Sequence, residues 1–209
     1  IGALNQVEHY RMAEKHRDHE AARLQLSSYP WNFDIVPCFY TAQQFYLIPD
    51  GQGNWKNTDP RIDKNRIAVC DLKHYGLVTP LIRLMKYWKE LKWGKVVSSY
   101  MFEQMVLDSI ESDSRSLGNN WKTRVERVLH YLTDAIKAPI IDPKGIQGDL
   151  NDLDTETKKH LSDMANISWI VAYTALKKER EGDIKDAIRL WRSVFGDKFP
   201  EYGALITGL

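Results

Sequence analysis

The spacing of apolar residues changes once along this chain, near Asp71, and that change sets the fold class. Beyond it, helical periods follow one another with clear starts and stops. "TPLIRLMKYWKELKW" places Leu81, Leu84, Met85, Trp88 and Leu91 at helical spacing, with Pro80 in the first turn. "SSYMFEQMVLDSIE" opens with a serine cap, and Glu103 stands where it could close a capping box. "NWKTRVERVLHYLTDAIK" is amphipathic, and "APIIDPKGIQGDLNDLD" is a loop. Residues 155–181 make a long helix that Gly182 ends. "DIKDAIRLWRSVFG" makes a last one, capped by Asp183 and stopped by Gly196.

Before Asp71 the runs are short. Residues 3–19 read as a polar helix carrying Leu4, Val7 and Met12. It passes without punctuation into a strand over 22–28, which points to an omitted segment near His19. A second strand spans 32–40, apolar enough to be buried on both faces, and a third spans 44–48. The short link between these two predicts a hairpin, and "PDGQGNW" is a long turn. A small sheet followed by a helical bundle is an α+β pattern. The expected divisions are 1–71, 72–203 and a C-terminal tail over 204–209.

Net charge is +1 over 209 residues, so any polyanion site must come from a local cluster. The two cysteines, Cys38 and Cys70, form no CxxC and read as reduced core thiols. There is no run of about eighteen apolar residues to cross a membrane. The charged start lacks the apolar centre of a signal peptide, so a cytoplasmic setting is expected. His16 and His19 share a spacing that zinc can use, but no further ligands stand out. The tryptophans on the helical segments read as core.

Two motifs carry chemistry. In "FDIVPCF", Asp34 interrupts an apolar run, where a carboxylate is costly unless a cation pairs with it. The partner is either an arginine or a divalent metal, and a metal carboxylate on a strand suits phosphoryl transfer. In "LMKYWKELK…VVSSY", Lys86 and Lys89 lie three apart with Arg83 three before. This is either a solvated basic face or a phosphate clamp. In a clamp, Lys86 would grip a triphosphate, Ser98 and Ser99 would add donors at a helix N-terminus, and Tyr100 would offer a ring to a base.

"FDIVPCF", "YLIPDGQGNWKNTDP", "GLVTPLIRLMKYWKELK…SSYMFE", "IIDPKG" and "AIRLWRSVFGDKFPEY" together resemble a bacterial CD-NTase over residues 20–203. This is the family of cyclic oligonucleotide synthases of CBASS anti-phage systems, related to cyclic GMP–AMP synthase and oligoadenylate synthase. The resemblance implies a polymerase-β-like nucleotidyltransferase core joined to a helical domain. It implies Mg²⁺-dependent attack of a ribose hydroxyl on an α-phosphate, with two Mg²⁺ ions (Mn²⁺ as a substitute) and ATP or GTP as substrates. By position, Asp34 resembles a metal carboxylate, Lys86 and Ser99 the triphosphate contacts beside Ser98, and Tyr100 the base-stacking ring. Implied partners are an effector that reads the cyclic product and an E1/E2-like protein acting on the C-terminus, with no DNA and no membrane. The family's Gly-Ser turn and D-x-D strand are absent. "DLD" at Asp152–Asp154 lies between helices, and Asp18 stands alone. The expectation is that this chain is a fragment, inactive by itself, of a synthase active when whole. The alternatives are a degenerate nucleotide-binding module and a linear oligonucleotide synthase.

Overall fold

The computed structural model describes residues 1–18, 20–113 and 120–203, so the 204–209 tail and His19 lie outside the described residues. Two compact units divide between Asp63 and Lys64. Both this division and the expected boundary at 71 fall within one helix, Pro60–Lys73.

The first unit opens with two short helical turns, α1 (Gly2–Asn5) and α2 (Glu8–Arg11). Strands β1 (Glu14–Asp18), β2 (Ala21–Gln25) and β3 (Asn32–Ile35) form an antiparallel sheet in that order. Strands β4 (Phe39–Tyr40), β5 (Tyr46–Pro49) and β6 (Trp55–Thr58) form a second. The single helix expected over 3–19 does not form. Its second half is β1, paired from Glu14↔Gln25 to Asp18↔Ala21. On either side of His19, Asp18 and Ala21 pair as the last residues of the antiparallel ladder.

The strand expected over 32–40 is also corrected. It breaks at Val36–Pro37–Cys38, where proline has no N–H to give to a ladder. All four residues of β3 are exposed, so the run is not buried on both faces. Cys38 is exposed too, while Cys70 is buried as expected, and both are free thiols. The predicted hairpin is present, with Phe39↔Leu47 and Tyr40↔Tyr46 in register. The turn after β5 is built by Asp50, whose carboxylate accepts the N–H groups of Gln52 (2.8 Å) and Asn54 (2.9 Å). It leads into β6, whose sequence "WKNT" carries one apolar residue and gave no strand signal. Arg61 braces the second sheet. Its guanidinium lies 5.3 and 5.2 Å from the Tyr40 and Tyr46 ring centres and pairs with Asp59 at 2.8 Å.

Helix α3 (Pro60–Lys73) begins in the first unit and continues into the second. The second unit holds α4 (Val78–Lys92), α5 (Ser99–Ser112), α6 (Trp121–Ala135), α7 (Thr155–Arg180) and α8 (Ile184–Phe195). These five match the helical periods read from sequence. Short polar caps start all but α4. Asn120 accepts the N–H groups of Lys122 and Thr123, Asp154 that of Thr157, and Asp183 that of Asp186. "DLD" is thus a helix start, not a metal-binding strand. Gly196, at φ 75°, ends α8 in a conformation glycine adopts without strain.

The core joins Leu81, Met85 and Trp88 of α4 to Phe102 and Met105 of α5, Leu129 and Leu132 of α6 and Leu161 of α7. Trp88, Trp93 and Trp191 are buried, as expected, with Trp121 and Trp169 half-buried. Arg66 fastens α3 to α5 through Gln104 (2.5 Å), Asp108 (2.5 Å) and Glu111 (2.7 Å). Among the described residues, no helix is long and apolar enough to cross a membrane.

Candidate functional site

Ser98, Ser99 and Tyr100 open α5, and Lys86 lies midway along the neighbouring α4. Ser98 is the cap of α5, its Oγ accepting the Met101 N–H at 3.1 Å. Ser98 and Ser99 are exposed. A helix start gathers N–H donors at the positive end of the peptide dipoles, so an exposed serine pair there suits an anion. Glu103 does not close a capping box, because it lies five residues past the cap rather than three. It accepts instead from the Lys86 ammonium, across α4 and α5. Lys86 is a third exposed and so keeps access to solvent.

Two lysines behind this turn are not solvated. Lys89 does not share an exposed basic face with Lys86. Its side chain is 2% exposed, its Nζ donates to the Val97 carbonyl at 3.0 Å, and Glu90 pairs with it at 2.6 Å. The signal was present in the sequence. Lys89 stands four residues after Met85, on the apolar face of α4.

Tyr100 is half-buried against the loop between α6 and α7. Its hydroxyl donates to Asp142 at 2.7 Å, and the Lys144 ammonium sits 3.8 Å from its ring centre. Asp142 also accepts the backbone N–H groups of Lys144 (3.2 Å), Ile146 (3.2 Å) and Gln147 (3.0 Å). Asp142 and Lys144 pair at 3.2 Å with side chains 0% and 4% exposed.

Burial alone would raise the Asp142 pKa, but the Tyr100 hydroxyl and the backbone donors outweigh it and hold it at about 2. The folded value lies below the unfolded one. The stabilisation is therefore complete above the unfolded pKa near 4 and fades as pH falls toward 2. We expect the wild-type chain to lose about 2 kcal/mol between those limits through this group. Urea unfolding at pH 5 and pH 2.5 would show it as a drop that Asp142→Asn lacks. Equal drops in both proteins would refute it.

Asp34 lies in the other unit. Its carboxylate is half exposed on β3 and takes two bonds from Arg23, opposite it on β2, at 2.8 and 3.3 Å. The Arg23 hydrogen bond lowers its pKa. The buried setting expected for Asp34 is thus corrected. The charge is balanced by an arginine at the surface. Among the described residues no three His, Cys, Asp or Glu side chains cluster to hold a metal. His16 bonds Glu14 at 2.9 Å from a strand rather than a helix. One carboxylate already paired with a guanidinium does not fit a pair of Mg²⁺ ions. A groove of about 700 Å³ on the helical unit, where His130 stacks on Trp169, shares no residue with the Ser98–Tyr100 turn.

No family model matches the chain. It is 42% identical over 205 residues to a probable cyclic nucleotide synthase of Bacillus cereus, an alignment covering 96% of this chain and 61% of the relative. It is 23% identical over 185 residues to a cyclic AMP-AMP-AMP synthase of an Acinetobacter species, covering 81% and 51%. Among solved structures, the Vibrio cholerae DncV cyclic AMP-GMP synthase bound to a nonhydrolyzable GTP superposes with a TM-score of 0.73 at 11% identity, over 95% of this chain and 55% of that one. Escherichia coli CdnC, in complex with a HORMA protein, superposes at 0.72 and 15%, over 89% and 65%. The fold is therefore that of the cyclic-nucleotide nucleotidyltransferases. The chain is similar in sequence to bacterial cyclic nucleotide synthases, and it spans between half and two thirds of the length of the curated relatives it matches.

Proposed function

We propose that this chain carries the triphosphate- and base-binding side of an enzyme that joins NTPs into a cyclic oligonucleotide. The observation behind it is the start of α5, where Ser98 and Ser99 are exposed and Glu103, one turn further on, binds Lys86 of the neighbouring helix. The cyclic products named for both curated relatives favour a cyclic over a linear product. In this reading Lys86 exchanges Glu103 for a phosphate oxygen, while the serine hydroxyls and α5 N–H groups donate to its neighbours. By position Asp34 resembles one of the family's metal carboxylates, and its charge is already balanced by Arg23, so no metal step is assigned to it. The other two are absent from these 209 residues. Turnover would thus belong to a polypeptide of the relatives' full length. An anti-phage role, cytoplasmic location and an effector that reads the product are proposed on the same family grounds.

A second reading, a nucleotide-binding module without turnover, is favoured by the Arg23–Asp34 pair and the lack of a carboxylate cluster among the described residues. The first test is calorimetric titration of the chain with ATP and GTP. Lys86→Ala is expected to weaken binding at least about tenfold, as befits a lost charge-assisted contact. Unchanged affinity in that variant would move the site elsewhere.

A further inference from the structure

A buried polar cluster of the helical unit reaches Tyr100 from the loop between α6 and α7. That loop is rigidly built. Asp142 N–H donates to the Gly148 carbonyl (2.8 Å), and Leu150 N–H to that of Ile140 (2.7 Å). The buried Asn151 amide donates to the carbonyls of Ile136 (2.8 Å) and Ala138 (2.7 Å). A buried acid and a buried lysine are costly to dehydrate, and apolar side chains would hold a loop as well. Here both converge on one side chain, Tyr100.

We propose that Asp142 and Lys144 are positioning residues that fix the Tyr100 ring in the plane in which it receives a nucleobase. This rests on the nucleotide-binding reading of the α5 start. A tyrosine side chain has two torsions. Its hydroxyl donates to Asp142 and accepts from the Lys144 ammonium, so both pin its far end, and the same ammonium lies 3.8 Å from the ring centre. A ring already held in place surrenders little conformational freedom when a base stacks on it. The ammonium also draws ring electrons toward itself, which suits the opposite face to an electron-rich purine. The ligand class is thus a purine nucleoside triphosphate, with its phosphates on the Ser98–Lys86 side and its base on Tyr100.

The experiment separates base from phosphates. The chain is titrated with ATP and with inorganic tripolyphosphate, as wild type, Lys144→Met, Lys144→Arg and Tyr100→Phe, with thermal melts beside each. Lys144→Met and Tyr100→Phe are expected to weaken ATP about tenfold while tripolyphosphate stays within about twofold. Lys144→Arg keeps a cation on the ring and is expected to restore ATP binding to within about threefold of wild type. Equal losses for both ligands would reduce the cluster to scaffolding and overturn the inference. So would ATP binding unchanged in Lys144→Met. If Lys144→Met does not fold, Tyr100→Phe makes the same comparison. A wild type that binds tripolyphosphate as well as ATP would sink the base contact and spare the phosphate clamp. A wild type that binds neither would remove the nucleotide reading itself.

Discussion

Replacing Asp142 by alanine is expected to destabilise the helical unit by about 3–5 kcal/mol, the range for removing one partner of a buried ion pair. The loss goes beyond one contact. The Lys144 ammonium, 4% exposed, would remain in the interior without its carboxylate. The Tyr100 hydroxyl and the N–H groups of Lys144, Ile146 and Gln147 would lose their acceptor as well. Each buried donor left without an acceptor adds a desolvation penalty of about 1–3 kcal/mol, partly relieved if water enters. Asp142→Asn keeps the shape and one acceptor oxygen, so it should fall between. Urea unfolding followed by circular dichroism would measure both. A drop under about 1 kcal/mol for the alanine variant would mean that the loop relaxes to rehydrate Lys144.

Trp88→Ala is the second large effect, at about 3–5 kcal/mol. Trp88 is 0% exposed and lies 5.1 Å from Trp93 and 6.3 Å from Phe102, ring centre to ring centre. Its indole Nε1 has no hydrogen-bond partner among the described residues, so its stabilising role is packing. Trp88→Phe leaves a smaller hole and should lose less, since the penalty grows with cavity volume. Differential scanning calorimetry would rank them. A Trp88→Ala melt within a few degrees of wild type would show that the helices close around the gap.

The helical half was legible because its helices carry local signals, an apolar stripe in each and, in several, a polar cap or a glycine stop. Asp183 and Gly196 bracket α8 where the sequence places them. The front of the chain was not, for two physical reasons. β1, "EKHRD", is a strand only because β2 pairs with it, and its charged residues carry no strand pattern of their own. α3 buries only Cys70 fully, so its periodicity is faint, and its anchor is Arg66 reaching three polar side chains of α5. Of the candidate site, Lys86, Ser98, Ser99 and Tyr100 could be picked out because they lie close in sequence. Asp142 and Lys144 could not be tied to Tyr100, since about forty residues separate them and only the folded chain closes that distance. Asp34 drew notice for its apolar neighbours, yet exposure of β3 removed the reason for alarm.

The bond from Lys89 to the Val97 carbonyl has a bearing on how this region can diverge. The lysine grips main chain, so the tie does not depend on which side chain occupies position 97, provided it is apolar enough to stay buried. Residues 95–97 can therefore drift in sequence while the start of α5 keeps its place, whereas Gly94, at φ 57°, cannot. Position 89 has no such latitude. A shorter or uncharged residue there would strand the carbonyl, and the serine pair would lose its footing in the same step.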